Sequence, residues 1–109
     1  MQSILKSGMR ILVNKRFRVL VNGTNFLIEL DGSEQKCGFY ATRYVEAENE
    51  ELAETKVIEA FRTDRKLVKL IRNESNDSPA LFANEIEKVE MNDSPDEFGF
   101  AWYLEKTSN

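Results

Sequence analysis

The sequence contains no histidine and a single cysteine, Cys37, among its 109 residues. Histidine is the commonest general base near neutral pH, the usual activator of a catalytic serine or cysteine, and the commonest metal ligand. One cysteine cannot form an intrachain disulfide, and alone it cannot build a structural zinc site. No nucleophile elbow or phosphate-binding glycine pattern compensates for these absences. We therefore predict a protein that is not an enzyme and that carries no cofactor or metal.

The chain also lacks an internal repeat, a low-complexity linker and any uncharged apolar run long enough to cross a bilayer. Its first residues are not typical of a signal peptide, because Lys6 and Arg10 interrupt the apolar positions and no small-residue cleavage site follows. We expect a cytoplasmic protein without a membrane partner. Its 109 residues suffice for one domain. We place this α+β domain at residues 16–109 and interpret residues 1–15 as an N-terminal extension.

Charge is unevenly distributed along the chain, although the net charge is only −4. Basic residues dominate residues 1–18 and 62–72, whereas acidic residues gather in residues 46–54 and 85–97. Such patches steer a partner or pair two copies of a chain, and the simpler interpretation is solvated faces with local ion pairs.

Asn22-Gly23 is the strongest turn signal. Apolar runs flank it in FRVLVNGTNFLIEL, and Asn-Gly supplies the positive φ angles that a tight type I′ turn requires. We therefore predict a β-hairpin that turns at these two residues, followed by a polar turn at Gly32.

The segment from Gly38 to Ala47 alternates, with Phe39 and Val45 on one face. Asn49 then provides a helix N-cap, and apolar residues recur at helical spacing over residues 52–61. This order predicts a third strand followed by an amphipathic helix that covers the Phe39 face.

Two further strands are predicted over residues 80–91, with a bulge near Glu85-Ile86, and over residues 98–105. Residues 66–72 suit a short helix as well as a strand. The predicted fold is a two-layer α+β domain. Its mostly antiparallel sheet has about five strands, and one main helix covers one face.

Residues 37–44 partly match the strand signature of an RNA-recognition module. Gly38, Phe39 and Tyr44 fit, but the positions of Cys37 and Tyr40 do not. That module also needs a helix between its first two strands, which the predicted hairpin excludes, and a negatively charged chain repels phosphate. We therefore do not expect nucleic acid as a partner.

Arg43 lies on the otherwise apolar face of its predicted strand, where a buried guanidinium needs a partner. Two interpretations stay open. Arg43 either forms a structural ion pair with an acid such as Glu85 or Glu29, or binds an anionic ligand in a pocket.

The second face of the predicted sheet has no helix to cover it. It would carry apolar and aromatic side chains, and tyrosine is favoured at interfaces because it buries area and keeps a hydrogen-bonding tip. The alternative is that the basic start of the chain or residues 66–72 fold over this face. The candidate interface residues are Leu20, Leu27, Tyr40, Tyr44 and Tyr103.

The pattern GFYxTRxVEA over residues 38–47, followed by an acidic-capped helix, resembles a group of small uncharacterised bacterial proteins. Pro79, Glu85-Ile86 and Gly99-Phe100 belong to the same pattern. The resemblance implies that Arg43 is part of the family pattern, and it assigns no activity, cofactor or catalytic residue. The order of three strands then a helix is also similar to the antitoxin half of small toxin–antitoxin pairs, a similarity of element order alone.

Together these features predict a non-enzymatic interaction or regulatory module of the bacterial cytoplasm that forms a homodimer or binds another protein. The alternative is a small-ligand or anion-binding domain, with or without catalysis, centred on Arg43 and the nearby tyrosines.

Overall fold

The computed structural model describes residues 14–94 and 99–105. Two long strands, β1 (Lys15–Leu30) and β2 (Ser33–Ala47), precede the helices α1 (Glu50–Arg62) and α2 (Arg65–Leu70), and β3 (Ala80–Val89) and β4 (Ala101–Leu104) follow. The strands form one antiparallel sheet in the order β3-β1-β2-β4. The α+β class and the antiparallel sheet are confirmed. Over the described residues, however, there are four strands and two helices rather than five strands and one main helix.

The predicted hairpin turn at Asn22-Gly23 is wrong. β1 runs straight through these residues, and Gly23 pairs with Phe39 of β2. The chain turns instead at Asp31 and Gly32, whose φ angles are 51° and 86°. Leu30 and Ser33 pair on either side of these two residues, which is the two-residue hairpin loop that positive φ angles favour. The predicted polar turn at Gly32 is therefore the hairpin turn itself.

A bulge in β1 explains why one strand resembles two. The pairing with β2 shifts between Gly23 and Phe26, so that Thr24 and Asn25 both oppose Gly38. Asn25 adopts the left-handed conformation with φ 61°. An extra residue reverses the alternation of side chains, so residues on both sides of the bulge face the core. These core residues are Phe17, Val19, Val21, Phe26 and Ile28.

The last two strands are close to their predicted positions. β3 has a bulge at Asn84, because Leu20 pairs with Glu85 while Val21 pairs with Ala83. Most of the predicted N-terminal extension (residues 1–13) and residue 98 of the last predicted strand lie outside the described residues. Lys15, the end of the predicted extension, begins β1.

Both helices begin at side-chain caps. Asn49 accepts a hydrogen bond from the Leu52 backbone N–H at the start of α1, and Asp64 accepts one from the Leu67 N–H at the start of α2. The cap at Asp64 decides the open question over residues 66–72 in favour of a helix. α1 buries Ala53, Val57 and Phe61, and α2 buries Leu67.

The core is an aromatic cluster centred on Phe39 of β2. Its ring lies 5.3 Å from the Phe26 ring, 5.6 Å from Phe61, 4.8 Å from Phe100 and 5.1 Å from Trp102, between centroids. Since α1 packs on this face against β1, β2 and β3, the predicted side of the sheet is covered. Neither helix of the described residues is long and apolar enough to span a membrane.

Candidate interaction face

The side of the sheet opposite the helices is called here the open face. Its residues alternate with the core residues along each strand. Asn22 of β1 lies at its centre, paired with Tyr40 of β2 on one side and with Phe82 of β3 on the other. The apolar and aromatic residues of the open face are Leu20, Leu27, Tyr40, Tyr44, Phe82 and Tyr103.

The middle of the open face is aromatic, and contacts with neighbouring residues hold its tyrosine side chains in place. The rings of Tyr40 and Tyr103 lie 5.6 Å apart, and the Tyr103 ring lies where a side chain on Gly38 would stand. Asn22 Nδ2 donates a hydrogen bond to the Tyr103 hydroxyl at 3.0 Å. Tyr40 is 42% exposed and Phe82 is 51% exposed. A preorganised aromatic surface of this kind loses little side-chain entropy when it binds a partner.

Tyr44 lies in a charged end of the open face rather than in its aromatic middle. The Arg16 guanidinium lies 5.2 Å from the centre of the Tyr44 ring, and Arg16 also pairs with Glu46 at 3.5 Å. A hydrogen bond with Tyr44, together with the ion pair to Glu87, raises the pKa of Arg18. The arginines of this end are therefore already engaged by tyrosine and by acids.

Leu27 lies beyond the bulge, beside a polar cluster. Asp77 accepts hydrogen bonds from Asn25 at 2.9 Å and from Lys36 at 2.8 Å, and Lys36 also donates to the Asn25 side chain. The Leu27 backbone bonds to the loop after α2, donating to Asn73 Oδ1 and accepting from the Arg72 N–H. Leu27 thus extends the open face towards the hairpin turn but does not touch its centre.

Of the five predicted interface residues, the structure brings Leu20, Tyr40 and Tyr103 to the aromatic middle. Tyr44 and Leu27 lie towards the two ends. Sequence reasoning missed Phe82, although a signal for it exists. Leu81 and Ala83 alternate towards the core, so the residue between them has to face the other way.

The outer edge of β2 is a second surface at which another chain can add. β4 pairs only with residues 37–40, so the edge of residues 41–47 that faces away from β1 has no strand partner among the described residues. Two carbonyls of this edge are occupied by cationic side chains: Arg43 donates to the Thr42 carbonyl and Lys56 to the Glu46 carbonyl, both at 2.8 Å. Charged side chains placed in this way discourage edge-to-edge pairing.

Arg43 is held by aromatic rings. Its guanidinium lies 4.9 Å from the centre of the Phe61 ring and 5.3 Å from that of Phe100. No acid within the described residues makes a salt bridge with it, and the two predicted partners, Glu29 and Glu85, belong to the open face. Burial lowers the pKa of Arg43, and the charge of Asp64 partly offsets this effect. The geometry is that of cation–π packing.

A cavity of about 480 Å³ lies between α2 and the start of β3, lined mainly by apolar residues such as Phe61, Leu67 and Leu81, and Arg43 does not border it. Burial raises the pKa of the Cys37 thiol, which disfavours the reactive thiolate. Residues 14–94 and 99–105 contain no cluster of three or more potential metal ligands.

Comparisons with protein-family models, with curated proteins and with solved structures found no match to this chain. The resemblance to small bacterial proteins therefore stays a prediction, and the function has to be argued from the geometry.

Proposed function

We propose that this protein is a non-enzymatic interaction module whose partner is a second copy of itself, bound through the open face. The observation that carries the proposal is the one-sided sheet: the helices cover one face, while Tyr40 and Phe82 stay exposed on the other. As at the sequence level, we propose that it works in the bacterial cytoplasm.

The size of the open face suits a dimer. β1 has 16 residues, which span about 50 Å at about 3.3 Å per residue. Three strands lie side by side along most of this length, about 15 Å in width. The product, roughly 750 Å² per copy, is close to the roughly 800 Å² per partner of a standard stable interface.

The charges of the open face favour a second copy over nucleic acid. Arg16 and Arg18 already pair with Glu46 and Glu87 of the same face, and a partner rich in phosphate would have to displace these acids. A second copy needs no counter-charge, and two-fold symmetry places aromatic middle against aromatic middle. The face is also preferred to the β2 edge, whose Thr42 and Glu46 carbonyls are already bonded to side chains.

Sedimentation velocity at micromolar concentration tests the proposal. We expect a dimer for the unaltered chain and a folded monomer for Tyr40→Glu, because a charge in the aromatic middle would be buried without a partner. Leu52→Glu is the matched control, since Leu52 is similarly exposed but lies on α1. It should stay dimeric. A monomer for the unaltered chain, or a dimer that tolerates Tyr40→Glu, would overturn the proposal.

A further inference from the structure

The cavity between α2 and the start of β3 lies on the helix side of the sheet, away from the open face. Phe61 of α1 and Leu67 of α2 line it together with the core residue Phe26, and all three are buried. Ile71 at the end of α2 and Leu81 of β3, both half-buried, border it as well. The inner part of the cavity is therefore a wall of aromatic and aliphatic side chains.

The volume of this cavity, about 480 Å³, lies in the range of about 300–1,000 Å³ that small-molecule sites occupy. At about 30 Å³ for each water molecule in the liquid, it has space for roughly 16 non-hydrogen atoms. Water in an apolar cavity finds few hydrogen-bond partners, so an apolar group that displaces this water gains affinity. The cavity suits an apolar ligand of roughly ten to fifteen non-hydrogen atoms.

The mouth of the cavity is polar, because Arg62 and Ser78 border it and both are exposed. Arg62 makes no salt bridge within residues 14–94 and 99–105, although the groove on its other side contains Glu59. The side chain of Asp64 is engaged elsewhere, since it accepts the Leu67 N–H at the start of α2. The guanidinium of Arg62 therefore has N–H donors available for a ligand at the mouth.

The chain around the mouth is strongly basic. Residues 62–72 contain five exposed bases and a single acid, Asp64, and none of the five makes a salt bridge among the described residues. A concentration of one sign of charge attracts ligands of the opposite sign. The five bases are Arg62, Arg65, Lys66, Lys69 and Arg72. Charge thus selects an anionic group at the mouth, whereas the cavity behind it selects an apolar chain.

We infer that this cavity binds a small amphiphilic carboxylate, with a chain of about ten carbons in the cavity and its carboxylate on Arg62. A guanidinium holds a carboxylate through two parallel N–H···O bonds, and the Ser78 hydroxyl is a further donor at the mouth. Because the cavity and the open face are on opposite sides of the sheet, the inference goes beyond the proposed dimer and does not depend on it.

Three probes with the same chain and different head groups test the inference: decanoate, decanol and decylammonium. Isothermal titration calorimetry on the full chain gives their dissociation constants. We expect decanoate to bind about threefold to tenfold more tightly than decanol, because its bonds to Arg62 are charge-assisted but near solvent. Decylammonium should bind most weakly. Equal binding of the three probes, or no binding of decanoate, would overturn the inference.

Two arginine variants show whether the mouth of the cavity reads the charge. Arg62→Gln should weaken decanoate by about threefold to tenfold and leave decanol unchanged. Arg65→Gln is the matched control, because Arg65 is also exposed and basic but does not line the cavity, and it should leave both probes unchanged. An equal loss in the two variants would mean that the basic stretch as a whole attracts the anion, and it would overturn the placement of the carboxylate on Arg62.

The position of the bound chain is tested separately. In ¹H–¹⁵N spectra decanoate should shift the amide signals of residues 67–71 and 79–81 and leave those of Leu20 and Tyr40 on the open face in place. Ala80→Leu, which adds bulk to a residue that lines the cavity, should abolish the binding of decanoate and decanol, and its own spectrum shows whether it is folded. Shifts confined to the open face, or a folded Ala80→Leu that binds both probes normally, would overturn the inference.

Residues 1–13 are the competing occupant, because they combine apolar side chains with bases. The double variant Ile11→Gln with Leu12→Gln removes two of these apolar side chains without changing the charge. If decanoate binds in the cavity, its affinity for this variant should equal that for the unaltered chain. An increase of threefold or more would show that the chain's own N-terminal residues occupy the cavity, and it would overturn the assignment to a carboxylate ligand.

Discussion

The ring of Phe39 occupies the space in which a side chain on Gly23 would stand, and the two residues are paired across β1 and β2. The Phe26 ring approaches the same point, at 2.8 Å from a Cβ built on Gly23. Glycine at position 23 therefore serves the packing of the aromatic core, and the Asn-Gly pair in which it lies is not a turn.

Gly23→Ala should destabilise the fold by about 1–3 kcal/mol, because an added methyl group forces the central rings of the core to move. Gly99→Ala is the control, since no atom lies within 4 Å of a Cβ at that position. Urea unfolding at a fixed protein concentration gives the free energies of unfolding. Equal stability of the two variants would show that the Phe39 ring yields without cost.

Gly32→Ala should also destabilise the fold, but for a different reason. No atom would contact the new Cβ, whereas the φ angle of 86° disfavours any side chain, a penalty of about 1–2 kcal/mol. Asn and Asp tolerate positive φ better than alanine does, so Gly32→Asn should be more stable than Gly32→Ala in the same urea measurement. If Gly32→Ala were the more stable of the two variants, the positive φ angle of Gly32 would not be the cause of the destabilisation.

The two glycines explain where sequence reasoning worked and where it failed. Asn22-Gly23 and Asp31-Gly32 both carry the local chemistry of a type I′ turn, and only packing decides between them. The ring of Phe39, far away in sequence, occupies the space beside Gly23, and no local pattern reveals that contact. The alternation of residues 17–21 and 26–28 was predictable, because the bulge at Asn25 keeps both sets on the core face.

The candidate site was predictable in the same partial way. Alternation alone places Leu20, Tyr40 and Tyr103 on the face that one helix cannot cover. It does not show that Tyr44 packs against Arg16, because the pairing register of β1 and β2 depends on the true position of the turn. Likewise, the aromatic partners of Arg43 come from α1 and from the residue before β4, distant in sequence.

Arg43→Met should be at least as stable as Arg43→Lys. The guanidinium is partly desolvated without an ion pair among the described residues, and methionine fills the space between Phe61 and Phe100 without that desolvation cost. Lysine keeps the charge but loses the planar stacking. Thermal unfolding of the two variants decides the order, and a less stable Arg43→Met would show that the charge itself is needed.

Phosphate tests the alternative function of Arg43 in the same experiment. If Arg43 binds no anion, phosphate should not raise the unfolding temperature of the unaltered chain more than that of Arg43→Met at equal ionic strength. A selective rise for the unaltered chain would support the anion-binding alternative.

Asp77→Asn should lower the free energy of unfolding, relative to that of the unaltered chain, by more at pH 7 than at pH 3. Hydrogen bonds from Lys36 and then Asn25 lower the pKa of Asp77 below its ordinary value of 3.8. A carboxyl whose pKa is lower in the folded state stabilises the fold above its unfolded pKa. That contribution is lost as the pH falls through the folded pKa, so the deficit in the stability of Asp77→Asn should shrink below about pH 4.

Urea unfolding at pH 7, 5 and 3 measures the deficit. Glu74→Gln is the control, because it removes an exposed carboxylate from the same loop but not from the cluster. A deficit that stays constant down to pH 3 would mean that the loss comes from altered hydrogen-bond geometry around Asn25 and Lys36 rather than from the charge of Asp77.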